Sequence, residues 1–182
     1  MRAILFLLLT SYAFAESNFD FSKKFSGTFN GKKLEYTAKV YEKVIFERDD
    51  STKPLASFVV TEYSVDNQKN RPVMFSFNGG PGSASLWLHM GVLGPKVVKV
   101  PSDASDDGSP PYNLINNKLS PLDKADLVFI DPIGTGYSRP LGEHEGKEFW
   151  GVKQDAVVIA EFIRRWITVS YTHLRAHETT NY

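Results

Sequence analysis

Residues Arg71–Trp87 read RPVMFSFNGGPGSASLW, and residues Asp126–Ser138 read DLVFIDPIGTGYS. Each is a short, nearly continuous apolar run that ends in a polar residue and a glycine-rich turn. Runs of this length, bounded by turn residues, read as strands buried on both faces, the kind found in parallel sheets. Pro72–Asn78 is therefore expected as one buried strand and Asp126–Asp131 as a second. After the first turn, Leu86–Leu93 reads as a short helix. After the second, Phe149–Ile167 carries Val152, Ala156, Ile159, Ala160, Ile163 and Trp166 at three- and four-residue spacing. Lys153, Asp155, Glu161 and Arg164 fall on other faces. This is an amphipathic helix with a stripe for a sheet. Strand, glycine turn, strand and helix together predict an α/β domain with a partly parallel sheet.

Upstream the rhythm is antiparallel. Asn30-Gly31 between Phe25–Phe29 and Leu34–Tyr41 is a type I′ hairpin signal, because both turn positions need positive φ. Val44–Glu47 and Ser57–Val65 read as two further strands, separated by the polar turn Asp49–Pro54. Asp66–Asn70 is the next turn, and Pro101–Tyr112, dense in Ser, Asp, Pro and Gly, reads as an exposed loop. The expected fold is an N-terminal antiparallel meander leading into parallel strands, with no internal repeat.

Neither end reads as part of that domain. Met1–Ala15, MRAILFLLLTSYAFA, has a basic residue, a short apolar core and an A-x-A site before Glu16, the layout of a secretory signal peptide. A spanning helix needs about 20 apolar residues, so no stable membrane anchor is expected. The mature chain would start at Glu16 in a secreted or periplasmic setting. At the other end, residues 169–182, VSYTHLRAHETTNY, have neither helical nor alternating patterning and read as an adapter-derived artefact of sequencing. His173 and His177, four apart, accordingly carry no metal-binding expectation, and they lack the Glu of an H-E-x-x-H site.

Lys+Arg and Asp+Glu both number 21, and setting aside Arg2, Arg175 and Glu178 leaves the remainder within one charge of neutrality. That argues against nucleic acid as a partner, since neutralising phosphates takes a basic surplus. With no cysteine there is no disulfide framework, thiolate zinc site, iron–sulfur cluster or cysteine nucleophile. Hydroxyl, carboxylate and imidazole chemistry remains, and neither a cofactor nor a metal is expected. A cysteine-free exported chain fits a bacterial periplasm better than a disulfide-forming eukaryotic route.

The sharpest chemistry lies at Asn78-Gly79-Gly80-Pro81-Gly82. Glycines there let the backbone approach a ligand and free its N–H groups to face an anion. A phosphate and the oxyanion of an attacked acyl carbonyl both fit, as does a purely structural tight turn. Neither G-x-x-x-x-G-K-[ST] nor G-x-G-x-x-G is present, which weakens the phosphate reading.

Taken together, Asn78-Gly-Gly-Pro-Gly after one apolar strand and Asp131-Pro-Ile-Gly-Thr-Gly-Tyr-Ser after another resemble the serine carboxypeptidase family in its bacterial secreted form. Asn113–Leu122 and Phe149-Trp150-Gly151 extend the resemblance, which covers roughly Phe58 to Ile167. It implies an α/β-hydrolase fold, a Ser-Asp-His triad and removal of C-terminal residues from peptides, so the partners would be the C-termini of peptide or protein substrates. It further implies that Gly80 gives a backbone N–H to the oxyanion hole, and that Asn78 and Gly79 hold the substrate's terminal carboxylate. The Asp131–Ser138 turn is implied only as site architecture. Ala84 departs from the family's usual Ser, and Ser83 stands where many eukaryotic members have a disulfide-bonded Cys.

The nucleophile elbow of this fold is a G-x-S-x-G-like turn on the strand after the Phe149–Ile167 helix. No such motif occurs; Gly136-Tyr-Ser138-Arg-Pro140 fails at its last position. The chain is thus expected to be truncated before the elbow, inactive alone and poorly stable, with its second parallel strand left as an open sheet edge. The remaining candidates have plain readings. His89 is expected as a packed or partly exposed residue and His144 as a solvated loop residue. Ser83 and Ser85 are expected to cap a helix, and Asp131 to fix a turn. Rival readings are an aminopeptidase or acyltransferase of the same fold, or a non-catalytic secreted binding module.

Overall fold

The computed structural model describes residues 20–79, 82–101, 103, 105 and 109–170. The expected leader at Met1–Ala15, residue Gly80, and His173 and His177 in the tail lie outside the described residues.

The chain opens with β1 (Asp20–Phe29) and β2 (Lys32–Phe46), an antiparallel hairpin in which Phe29 pairs with Lys32. Asn30 and Gly31 have φ of 47° and 81°, the two positive values of the expected type I′ turn. Leu34–Tyr41 and Val44–Glu47, expected as two strands, form one 15-residue strand. Glu42-Lys43 interrupts the apolar pattern but not the ladder, because the backbone pairs Glu42 with Val59 and Lys43 with Phe58. β3 (Pro54–Val65) follows the Asp49–Pro54 turn, where Asp50 accepts the Thr52 amide at 2.9 Å.

β4 (Val73–Ser76) and β7 (Asp126–Ile130) form the parallel pair, Val73 opposite Asp126 and Ser76 opposite Phe129. Between them come α1 (Leu86–Leu88), which runs on as a π-helical turn over His89–Leu93, then the β5 (Lys96–Val98) and β6 (Leu114–Asn116) ribbon. The main sheet runs β1-β2-β3-β7-β4, with β8 (Arg139–Pro140) pairing beside β3. It is mainly antiparallel with one parallel pair, in a mixed α/β fold. Two edge expectations are corrected by this order. The second parallel strand, β7, is enclosed by β3 and β4 and buries all five residues. The first, β4, ends the sheet among the described residues, and of its four residues only Ser76 is buried.

Alternation along the strands makes two cores. Phe58, Val60, Val128 and Ile130 face α2 (Val152–Ser170), whereas Tyr36, Val65, Leu127 and Phe129 face the turns that carry Leu88, Leu93 and Leu122. The helix exists where expected, but its buried stripe is Val158, Ile159, Phe162 and Trp166. Val152, Ala156 and Ala160, counted toward that stripe from spacing, are exposed. The large rings set the rotation: Phe162 packs tilted against Phe58 at 4.8 Å and Trp166 meets Phe75 edge-on at 5.1 Å. No helix of the described residues is long and apolar enough to cross a membrane.

Candidate active site

Because β4 and β7 are parallel neighbours, their C-terminal ends open on the same side of the sheet. The two glycine turns are therefore adjacent, where open α/β sheets collect ligands. The chain passes from Ser76 into Phe77, Asn78 and Gly79. Asn78 is half-buried; its amide N donates to Ser85 Oγ at 3.4 Å and its Nδ2 to Ser83 Oγ at 3.0 Å. Gly79 is exposed, and a Cβ built on it would meet nothing within 4 Å. Asn78 and Gly79 thus stand together at the tip of β4, facing open space on the Gly79 side.

Ser85 fastens this turn to the next. Its backbone N donates to Asp131 Oδ1 at 2.8 Å, and its hydroxyl donates to the Ile130 carbonyl. The capping roles expected for the two serines are corrected: no side-chain cap bond forms at Ser85, and Ser83 instead accepts from the Asn78 amide. A helix of three residues has little to cap, while a buried hydroxyl across from a strand end has an unmet carbonyl.

Asp131 fixes the second turn as expected. Its Oδ2 packs against Gly136, whose φ is 50°, and a Cβ at 136 would lie 2.1 Å from that oxygen. Only glycine admits the carboxylate there. Burial pushes the Asp131 carboxyl above the ordinary carboxylate range, with the Ser85 amide opposing. The turn closes through Gly134 N to the Ser138 carbonyl at 3.0 Å, and the buried Ser138 Oγ accepts from Val59 N at 2.9 Å. Trp150, half-exposed, lies across Gly134, where a Cβ would come 3.1 Å from its Nε1.

Beneath the junction is a cavity of about 90 Å³ lined by Ser85, His89, Asp131, Thr61 and Phe129 among others. A Ser, a His and an Asp share it without forming a triad. The Ser85 proton goes to Ile130, Asp131 receives the Ser85 amide, and His89 Nε2 bonds the Tyr63 hydroxyl at 2.6 Å. His89 also stacks on Phe129 at 4.6 Å. It is the packed residue expected, not a base. His144, expected as solvated, is instead held by Glu148 at 2.9 Å and Glu47 at 3.2 Å, and chiefly the Glu148 bond raises its pKa. Among the described residues no group of three or more His, Asp or Glu is placed to hold a metal.

Burial lowers the His89 pKa from 6.5 to about 4. Between those values the unfolded chain binds a proton that the folded chain does not, so stability falls as pH falls through this window. Urea unfolding at pH 7 and pH 4.5 should differ by about 2 kcal/mol more in the parent than in His89→Gln, which keeps a polar partner for Tyr63 without the titration. Equal differences in the two proteins would show that His89 is solvated.

The pinned pair of turns is what sequence reasoning did not see. Its signal was available in one place, a glycine five residues after an aspartate at a strand end. The sequence model for serine carboxypeptidases matches residues 50–178, more than half of the chain and inclusive of both turns. The pheromone-processing carboxypeptidase KEX1 of Saccharomyces cerevisiae strain JAY291 is 33% identical over 102 residues. These are 56% of this chain and 12% of that protein. Its counterpart in strain S288c matches at the same identity over 13% of its length. The chain spans about an eighth of the length of these relatives. A family match over more than half of the chain, taking in both strand-end turns, places the chain in the serine carboxypeptidase family.

Proposed function

We propose that the whole protein to which this chain contributes is a serine carboxypeptidase of the α/β-hydrolase fold that hydrolyses C-terminal peptide bonds. In this reading residues 16–168 form the N-terminal part of its domain, exported after removal of Met1–Ala15, and the triad comes from sequence beyond this chain. Asn78 and Gly79 receive the terminal carboxylate of the substrate. An amide and a backbone N–H recognise an anion without burying an opposing charge. Gly80 gives its N–H to the oxyanion formed at the scissile carbonyl, stabilising charge that develops only in the transition state. The supporting observation is the tip of β4, where Asn78 is held by two serines next to an unobstructed Gly79.

The reading is tested on the full-length protein with N-blocked dipeptides and their C-terminal amides. The free acids should be cleaved and the amides should be poor substrates. Asn78→Ala should lower kcat/KM for the acids by roughly 10- to 100-fold, the effect of one hydrogen bond to a charged group. It should lower kcat/KM for the amides far less. Cleavage of acids and amides at equal rates would overturn it, as would release of the N-terminal residue first from unblocked tripeptides.

A further inference from the structure

Away from the paired turns, the face of β1, β2 and β3 opposite α2 carries a cleft of about 410 Å³. Its shape follows from register. Phe21 pairs with Val40, Lys23 with Ala38 and Phe25 with Tyr36, and all six point to this one face. Tyr63 continues the row from β3, opposite Ala38. Large residues thus surround one small one, and the depression lies over Ala38, which remains half-exposed in mid-sheet. Pro95 and Lys96 form a side wall. Phe21 is 64% exposed at the mouth, while Tyr36 at the far end is buried between Phe25 and Phe29.

The charge of the lining is one-sided. Lys23 and Lys96 contribute ammonium groups, and among the described residues neither Asp nor Glu lines the cleft. Lys96 Nζ is steadied by Asn116 Oδ1 at 2.9 Å, an amide that orients the cation without cancelling it. Lys23 Nζ lies over the Phe25 ring at 5.6 Å. The contrast is the second large depression, across the same strands, where Asp20, Glu62 and Asp126 face Lys39 and Lys43 and charges of both signs meet. An apolar floor with a few placed polar groups, at a volume within the range of small-molecule sites, describes a ligand cleft.

We propose that this cleft binds an amphipathic monocarboxylate, its aromatic or aliphatic tail lying on Ala38 among the rings and its carboxylate meeting Lys23 and Lys96. The Tyr63–His89 contact divides this cleft from the paired turns.

The test uses the full 182-residue chain with 4-phenylbutyrate, and with 4-phenylbutyramide and 4-phenylbutylamine as neutral and cationic tails of the same shape. Titration followed by NMR should show saturable binding of the carboxylate with Kd of about 1 mM or tighter, the ordinary efficiency for a ligand of this size. The shifted signals should include the Ala38 methyl and the Tyr63 ring. The amide should bind roughly fivefold to tenfold more weakly and the amine more weakly still. Lys23→Glu, at an exposed position that leaves the core intact, should weaken the carboxylate by a similar factor and leave the amide unchanged. Ala38→Leu should abolish binding of both. Equal binding of all three compounds, indifference to Lys23→Glu, shifts mapping elsewhere, or no saturable binding would each overturn the proposal.

Discussion

Replacing Arg71 with alanine is expected to cost about 3–5 kcal/mol of folding stability. Arg71 precedes β4 and its side chain is 8% exposed, against 11% for its partner Asp126 at the start of β7. Nε donates to Asp126 Oδ1 at 2.7 Å, Nη2 to the Leu122 carbonyl at 2.5 Å and Nη1 to Gln68 at 2.7 Å. The same Asp126 oxygen accepts the Val65 amide at the end of β3, at 3.1 Å. One fork therefore holds the register of three adjacent strands where the two parallel ones begin. Truncation removes the guanidinium from a carboxylate with little access to water, and strips the Leu122 carbonyl of its charged donor. Both losses are larger than the net value of the pair, because desolvation has already been incurred. Arg71→Lys should recover only part of the loss, since an ammonium cannot serve three directions in one plane. The double variant Arg71→Met with Asp126→Leu should be more stable than Arg71→Ala, which removes one charge and strands the other. Urea unfolding checks all three, and a loss below about 1 kcal/mol for Arg71→Ala would mean that the pair is effectively solvated.

What the sequence disclosed was mostly local. Asn30-Gly31 announces its turn because two consecutive positive φ values leave few other choices, and Asp126–Ile130 announces burial because all five side chains are covered. What it concealed was order. β7 follows β4 by some fifty residues yet enters the sheet between β3 and β4, and no window of sequence records that insertion. The apolar run at Val73–Ser76 looks the same whether it ends a sheet or lies inside one. Ser85 differs from its local reading for the same reason: a serine before a helix is a local signal for a cap, whereas its actual acceptor, Ile130, is 45 residues away. The residues of the candidate site were legible as a glycine-rich strand end, but the device that holds the two turns together was not. It consists of long-range hydrogen bonds made by residues with ordinary short-range readings.

The helix stripe offers the sharper test of that distinction. Phe162→Ala is expected to cost about 3–5 kcal/mol, as buried Phe truncations do when the surroundings relax only partly. Phe162 is 1% exposed and packs on Phe58, itself fully buried in β3. Relaxation is restricted on both sides of it. One turn on, Trp166 Nε1 donates to the Tyr41 hydroxyl at 2.7 Å, and Arg165 Nη2 donates to the Phe46 carbonyl at 2.9 Å, so α2 is tied to β2 and cannot settle into the void. Spacing alone would have ranked Ala156 and Ala160 with the core. Both are exposed, so Ala156→Ser and Ala160→Ser should each change stability by no more than about 0.5 kcal/mol, as surface substitutions do. A buried Ala→Ser would instead strand a hydroxyl and cost about 1–3 kcal/mol. Denaturant midpoints of the three variants therefore discriminate two rotations of one helix. A large loss at position 156 or 160 together with a small one at 162 would place the other stripe against the sheet, and with it would go the packing that supports β3 beneath the paired turns.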